Sequence, residues 1–240
     1  MESLNTLLNK EGIVGIKGEF EAEGLSRIQV ASEKIICLEN NLSYTVKIGG
    51  CEARGDISFL QQMNIKSIVA PMIESGFAMS KYMDAVDESF FNSIGVTIET
   101  IQAVENIEEI LNFGKKITEV TVGRSDLSSS FGEKNVNSEK ITELTLKVAS
   151  EAKKRNLKFT LGGSIGDATI KMLNDNPSLL DCIDRIETRK CILDKDLFMK
   201  SGLLNTAFSI EKALLENKNT EPDNIIKDSK NRIKELQKRS

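Results

Sequence analysis

The chain has 240 residues, 40% of them hydrophobic, a net charge of −4 at pH 7, no Trp and no His. That length suits one (β/α) barrel of roughly 250 residues, or two small domains. The acidic balance and sparse aromatics argue against nucleic-acid and membrane-surface binding, and the missing histidines remove every Ser-His-Asp or Cys-His pair and every His metal ligand. Four cysteines (Cys37, Cys51, Cys182, Cys191) have neither CxxC nor zinc spacing and read as reduced, mostly buried thiols. The start MESLNTLLNKEG lacks the basic and apolar blocks of a signal peptide, and no apolar run is long enough to span a bilayer. A soluble cytoplasmic protein is the expectation.

In chain order, Met1 to Lys10 reads as a short helix with Leu4, Leu7 and Leu8 on its apolar stripe. Gly12 to Glu19 is the first strand and runs on into Phe20 to Gly24, so Lys17, Glu19 and Glu21 fall on one face. Ser26 to about Asn40 is a helix with Ile28, Ala31, Ile35 and Leu38 as its expected buried stripe. Tyr44 to Ile48 is a strand closed by Gly49-Gly50. Glu52 to Met63 is a helix, Lys66 to Met72 a strand, and residues 77 to 87 a helix. After the two strands treated next, Phe131 to Asn137 reads as a loop. Ser138 then opens a strong helix to Arg155, with Ile141, Leu144, Val148 and Ala152 apolar. Phe159 to Leu161 is a strand running into Gly162-Gly163-Ser164-Ile165-Gly166. Asp167 to Leu173 is a helix, and Ile183 to Leu193 holds the last strand. Seven strands alternate with helices, which predicts an α/β protein with a parallel sheet. Beyond Asp194, Ser201 to Glu216 is helical with Leu204, Ala207, Phe208, Leu214 and Leu215 apolar. Lys218 to Pro222 is a polar break. Pro222 to Lys238 is a charged helix whose thin stripe is Ile225, Ile226, Ile233 and Leu236.

The most informative stretch is Ile94 to Ser130, read as strand, helix, strand. Gly95-Val96-Thr97-Ile98 is apolar and β-branched, as in a buried parallel strand, and Glu99 closes it. Thr100 caps a helix with Ala103, Ile107, Ile110 and Leu111 on its apolar face. Glu119-Val120-Thr121-Val122 is the next strand, Gly123 allows the turn, and Asp126 sits in it. A right-handed crossover of this length places both strands in one parallel sheet, with the ends of neighbours roughly 5 Å apart. Two carboxylates sharing one mouth of a sheet suit a hard dication such as Mg²⁺ or Mn²⁺. Taken singly, Glu99 and Asp126 read as a strand-end carboxylate and a turn cap.

VTIETIQAVENIEEI followed by VTVGRSDLSSSFG resembles the HpcH/HpaI aldolase and citrate lyase β-chain superfamily. The resemblance rests on a Glu after one strand, an A-x-x-N-x-x-E-I helix, and G-x-x-D-L-S after the next strand. It extends weakly over residues 13 to 195. It implies a pyruvate/phosphoenolpyruvate-type TIM barrel and a divalent metal on Glu99 and Asp126. It also implies a homo-oligomer in which a C-terminal helix packs on a neighbouring subunit. A barrel usually has eight strands, so the eighth lies in the N-terminal segment or the barrel is open or reduced. The expected organisation is a barrel over residues 1–200 and a helical extension over 201–240 at an oligomer interface.

Two departures from the family pattern matter. Lys47 ends its strand where relatives carry Arg, supplying the charge without the bidentate fork. Glu19, Glu21 and Glu23 stand where aldolase relatives carry Glu-His, so a carboxylate, Lys17 or a metal-bound water has to move the proton. Carboxylates this dense are costly unless Lys17, Lys47 or a cation faces them. The glycine-rich run GGSIGDAT, including Gly162 and Gly163, is a weak anion-binding signal. Glu74, Gly123, Arg124, Ser125 and Arg189 complete the candidate mouth, with Arg189 and Glu187 alternating on the last strand. As a bland reading, Lys47 and Arg124 are solvent-facing.

The expected activity is a Mg²⁺-dependent carbon–carbon lyase, aldolase-like, on a small 2-oxo acid (pyruvate or oxaloacetate type) or a CoA ester. In it the metal stabilises the developing enolate, and Lys47 or Arg189 neutralises a carboxylate. The competing expectation is a catalytically reduced barrel that binds such a ligand as a regulatory or assembly subunit. Phosphoryl transfer of the pyruvate kinase kind ranks last, because no P-loop is present.

Overall fold

The structure is a computed structural model that describes residues 2–200, 203–216 and 223–238. Helix α1 (Leu4–Leu8) leads into β1 (Ile13–Glu19), α2 (Arg27–Glu39), β2 (Ser43–Lys47), α3 (Arg54–Gln62), β3 (Ser67–Ala70) and α4 (Gly76–Ala85). Next come β4 (Ser93–Ile98), α5 (Ile101–Glu105), α6 (Ile107–Phe113), β5 (Glu119–Gly123), α7 (Arg124–Phe131) and α8 (Glu139–Lys154). The chain continues with β6 (Lys158–Gly162), α9 (Asp167–Asp175), α10 (Pro177–Cys182), β7 (Arg185–Glu187) and β8 (Cys191–Asp194). It ends with α11 (Lys195–Lys200), α12 (Leu203–Glu216) and α13 (Asp223–Gln237).

The strands close into a TIM-like barrel in sequence order, β1 to β8. Strands β1 to β7 pair in parallel, whereas β8 runs antiparallel to both β7 and β1. The expected seven strands are therefore eight, and the missing one is not N-terminal. The segment Ile183 to Leu193, read as a single strand, is a hairpin. Its turn carries no Gly, Pro, Asn or Asp; Thr188 closes it instead. The Thr188 N–H donates to the Cys191 carbonyl at 2.9 Å, and its Oγ1 accepts the Cys191 N–H at 3.0 Å. Arg189 lies in this turn rather than on a strand.

The alternation along the strands sorts the barrel into two environments. Val96, Ile98, Val120, Val122, Phe159 and Leu161 are buried in the apolar core. Thr97, Thr121 and Thr160 form a register-matched buried ladder on the other face. On that same face the Thr45 and Ser67 hydroxyls lie 2.9 Å apart. The barrel interior is thus polar, and the apolar core lies between strands and helices.

The helices follow local signals. Ser26 and Gln29 form a reciprocal capping box on α2, and Thr100 and Ser138 cap α5 and α8. Ala103, Ile107, Ile110 and Leu111 are buried as their spacing requires, with the helix broken at Asn106. Helix α2 corrects the sequence reading. Ile28 is 79% exposed, Ile35 54% and Leu38 60%, while Val30, Glu33 and Cys37 are buried. The inward face is set by Glu33, which finds a buried lysine and a tyrosine hydroxyl there. Helix α12 buries Leu204, Ala207, Phe208 and Leu214 within the same chain, against β8 and α1, and Leu215 stays half-buried. Ser201, the Lys218 to Pro222 break and the side chains of Ile225 and Ile226 lie outside the described residues. No described helix is long and apolar enough to cross a membrane.

Candidate active site

The C-terminal ends of β1, β2 and β4 to β7 line a cavity of about 320 Å³. Thr97 and Thr121 line it, with Lys17, Glu19, Lys47, Glu99, Gly123, Ser125, Asp126, Gly162, Gly163, Glu187 and Arg189 around them. Most of the side chains singled out from the sequence therefore meet in one place, although they come from residues 17 to 189.

Glu99 is the most deliberately held of them. It is 2% exposed, its Oε1 accepts the Met72 backbone N–H at 3.0 Å, and Lys47 Nζ lies 3.3 Å from Oε2. Met72 adopts φ +51°, a left-handed backbone that costs a non-glycine residue on the order of 1–3 kcal/mol. That strain aims an N–H at the carboxylate. Burial raises the Glu99 pKa, Lys47 and the Met72 N–H oppose the rise, and the nearby negative charge of Asp126 adds to it. Gly123 leaves room beside it, since a Cβ there would lie 3.0 Å from Glu99 Oε2 and press on that carboxylate. Asp126 is exposed in the first turn of α7, a helix where the sequence reading had a turn.

Among the described residues, no cluster of three or more His, Cys, Asp or Glu is gathered to hold a metal. Two carboxylates suffice for Mg²⁺, which fills its remaining positions with water and ligand oxygens. The donor chemistry of Glu99 and Asp126 fits such an ion: both are hard oxygen donors, and the buried one is raised in pKa partly by the other.

The second cluster lies across the barrel. Lys17 Nζ is 2.6 Å from both Glu19 Oε1 and Glu187 Oε1. Burial pushes the Lys17 pKa down, but Glu187 and Glu19 outweigh it and the net shift is upward. Burial pushes Glu19 up, yet Lys17, Lys47 and Arg189 bring it down to about 2. Each is held in a buried ion pair that favours its charged form. Behind this cluster, Lys190 Nζ sits 2.7 Å from both Glu23 and Glu33, and the Tyr44 hydroxyl donates to Glu33 at 2.8 Å. The crowded glutamates are thus faced by lysines, though Lys190 rather than Lys47 answers Glu23. Two carboxylates share one ammonium there; burial, partly offset by Lys190, leaves Glu23 at about 7.

Other candidates are placed differently. Arg124 does not face a ligand. Its guanidinium is fully buried and donates to the Gly162 and Gly163 carbonyls, Asn137 and Thr169. Positions 124 and 126 point to different sides of a helix, which separates this arginine from its acidic neighbour. Glu74 is exposed away from the cavity, its carbonyl accepting from Asn106. Glu21 borders an adjoining shallow pocket beside Gly49 and Met72. Arg189 donates to the Ala22 carbonyl at 2.7 Å. Gly163 has φ +83°, and a Cβ there would lie 2.4 Å from the Arg124 backbone nitrogen, so it sets how closely β6 approaches α7. The Ser125 and Ser164 hydroxyls meet at 2.8 Å at the mouth. Sequence reasoning missed Lys190, Glu33, Phe208 and Arg232, the last two of which also line the cavity.

This fold is that of the HpcH/HpaI aldolase/citrate lyase structures. A HpcH/HpaI aldolase from Desulfitobacterium hafniense DCB-2 superposes with a TM-score of 0.64 at 15% identity, covering 77% of this chain and 80% of that one. A HpcH/HpaI aldolase/citrate lyase family protein from Burkholderia cenocepacia J2315 superposes at 0.60 and 14% identity, covering 72% and 80%. The citrate synthase SbnG gives 0.60 at 14% identity over 91% of this chain and 89% of that one. No family model matches the chain, and no curated protein matches it in sequence.

Proposed function

We propose that this chain is a Mg²⁺-dependent, aldolase-like carbon–carbon lyase acting on a small 2-oxo acid or a related CoA ester. The observation that carries this reading is Glu99: a buried carboxylate held by a strained backbone N–H, beside Asp126, at the mouth of an aldolase-type barrel. Glu99 and Asp126 are the proposed ligands. When bound, the cation supplies a Lewis acid for the carbonyl of the oxo acid, favouring negative charge on the adjacent carbon. Lys47 carries the positive charge beside Glu99, with N–H groups left for a substrate carboxylate. The Lys17–Glu19–Glu187 cluster is a fixed electrostatic wall rather than a proton relay. Thr97 and Thr121 offer neutral hydroxyls beneath the ligand.

The experiment is Mg²⁺-dependent exchange of pyruvate methyl protons with deuterium, followed by NMR. Exchange that is lost on chelation and in Glu99→Gln is the expected result. Binding of pyruvate without exchange favours the second reading, a barrel that binds an oxo acid without turning it over. That reading is supported by the absence of histidine and by Lys17 and Glu19 being locked in their charged forms.

A further inference from the structure

Helix α13 buries little apolar surface: among its described side chains, only Leu236 is fully packed into the core. What ties it to the barrel mouth is an ion pair. Arg232 Nε donates to Glu211 Oε1 at 2.6 Å, and Nη2 donates to Glu211 Oε2 at 3.4 Å. Glu211, on α12, is fully buried. A buried ion pair is seldom the most stabilising choice, since a packed apolar pair of the same volume does as well or better. Here the pair stands on the wall of the proposed active site, because Arg232 and Phe208 line the same cavity as Glu99 and Asp126.

The geometry points to Arg232 as a specificity-determining residue that receives a second carboxylate of the ligand, distal to the oxo-acid head. The inference rests on the proposed function and deepens it. A guanidinium has five N–H groups in a fixed fork. Among the described side chains Glu211 takes two and Glu235 takes one at 3.1 Å, which leaves two. Glu211 orients the plane, as a carboxylate behind an arginine does when the arginine must be held for a planar partner. Of the other cations of the cavity, Lys17 is divided between two glutamates and Lys47 faces Glu99. Among the described residues, Arg189 hydrogen-bonds the Ala22 carbonyl and has no carboxylate behind it to fix its plane as Glu211 fixes that of Arg232. A cavity of about 320 Å³ also leaves room beyond a three-carbon acid. Phe208, on the same cavity wall, makes that end less polar, which favours a charged hydrogen bond there.

Lactate and malate share a 2-hydroxy acid head and differ in the second carboxylate, so their affinity ratio isolates this contact. The measurement is calorimetry on the Mg²⁺-loaded full chain with oxalate, lactate and malate. Wild type is expected to prefer malate by about 10- to 100-fold, the worth of a charge-assisted hydrogen-bonded pair. The double variant Glu211→Gln/Arg232→Gln, which keeps an amide pair in place of the ions, is expected to lose that preference while oxalate affinity stays within about twofold. Arg232→Lys, which retains the ion pair but not the fork, guards against misfolding of the double variant and is expected to lose most of the preference. A wild-type protein that binds oxalate but treats malate and lactate alike overturns the inference and spares the metal reading. So does an undiminished preference in both variants. Wild-type protein that binds no oxalate overturns both.

Discussion

Removing the charge of Glu99 separates metal binding from folding. In Glu99→Gln the side-chain oxygen still accepts the Met72 N–H, and volume barely changes. The carboxylate is raised in pKa by burial, so the fold already disfavours its charge, and the metal-free protein loses little by its removal. Lys47 loses a partner at 3.3 Å but keeps access to water. For a chain of this length the entropy of unfolding is about 500 cal/mol/K. Mg²⁺ at 100 times its Kd stabilises wild type by about 2.7 kcal/mol, or about 5 °C in Tm. If the variant binds about 100-fold more weakly, the same Mg²⁺ concentration gives only about 0.4 kcal/mol, under about 1 °C. The assay is thermal unfolding with and without Mg²⁺, with Glu108→Gln, an exposed acid on α6, as control. In Glu99→Gln a metal-free Tm within about 2 °C of wild type and a missing Mg²⁺ shift are expected, whereas Glu108→Gln keeps the shift. A full Mg²⁺ shift in this variant would refute the placement of the ion.

Lys190→Met strands Glu23 and Glu33 without their ammonium and should cost about 3–5 kcal/mol at pH 8, with a smaller loss at pH 5, read from denaturant midpoints. Gly163→Ala puts a side chain on a left-handed residue and against the α7 backbone, and should cost about 2–5 kcal/mol in the same measurement. Stability should also follow two carboxylates of opposite behaviour. Glu23 is raised from 4.5 to about 7, so the native state binds the extra proton in that window and Tm falls as pH rises from about 5 to 8. Glu19 is lowered from 4.5 to about 2, so its contribution is present above 4.5 and is lost as pH falls towards 2. Glu23→Gln should flatten the upper limb of the Tm–pH curve while leaving the acid limb intact.

The β4–β5 unit was legible because every local signal agreed: a β-branched run, Thr100 at a cap, apolar residues at helical spacing and Gly123 where the chain turns. The β-branched runs read as uniformly buried strands, whereas barrel closure gives their threonines a polar interior to line. The β7–β8 hairpin was hidden because its turn depends on the Thr188 side chain rather than on turn-forming residues. The inward face of α2 was misread because three exposed aliphatics outvote one glutamate in any hydrophobicity pattern. Only the tertiary partners Lys190 and Tyr44 reveal that Glu33 is the buried residue. Arg124 stood beside Asp126 in sequence and on another side in space. Arg232 had no local signal at all, since its meaning depends on a cavity whose other lining residues run from Lys17 to Phe208.

The seam between β1 and β8 sets an order of assembly. All other neighbours in the barrel are consecutive in sequence, whereas this pairing joins the two ends of the barrel. Its loop-closure entropy must be met before any of its contacts reward it, so the seam is expected to zip last. The contacts that wait for it are those of one side of the site: Lys17 with Glu187, Lys190 with Glu23 and Glu33, and Arg189 with Ala22. Glu99, Lys47 and the Met72 N–H meet within β2 to β5, so the proposed cation ligands are expected to assemble before the lysine–glutamate wall that faces them.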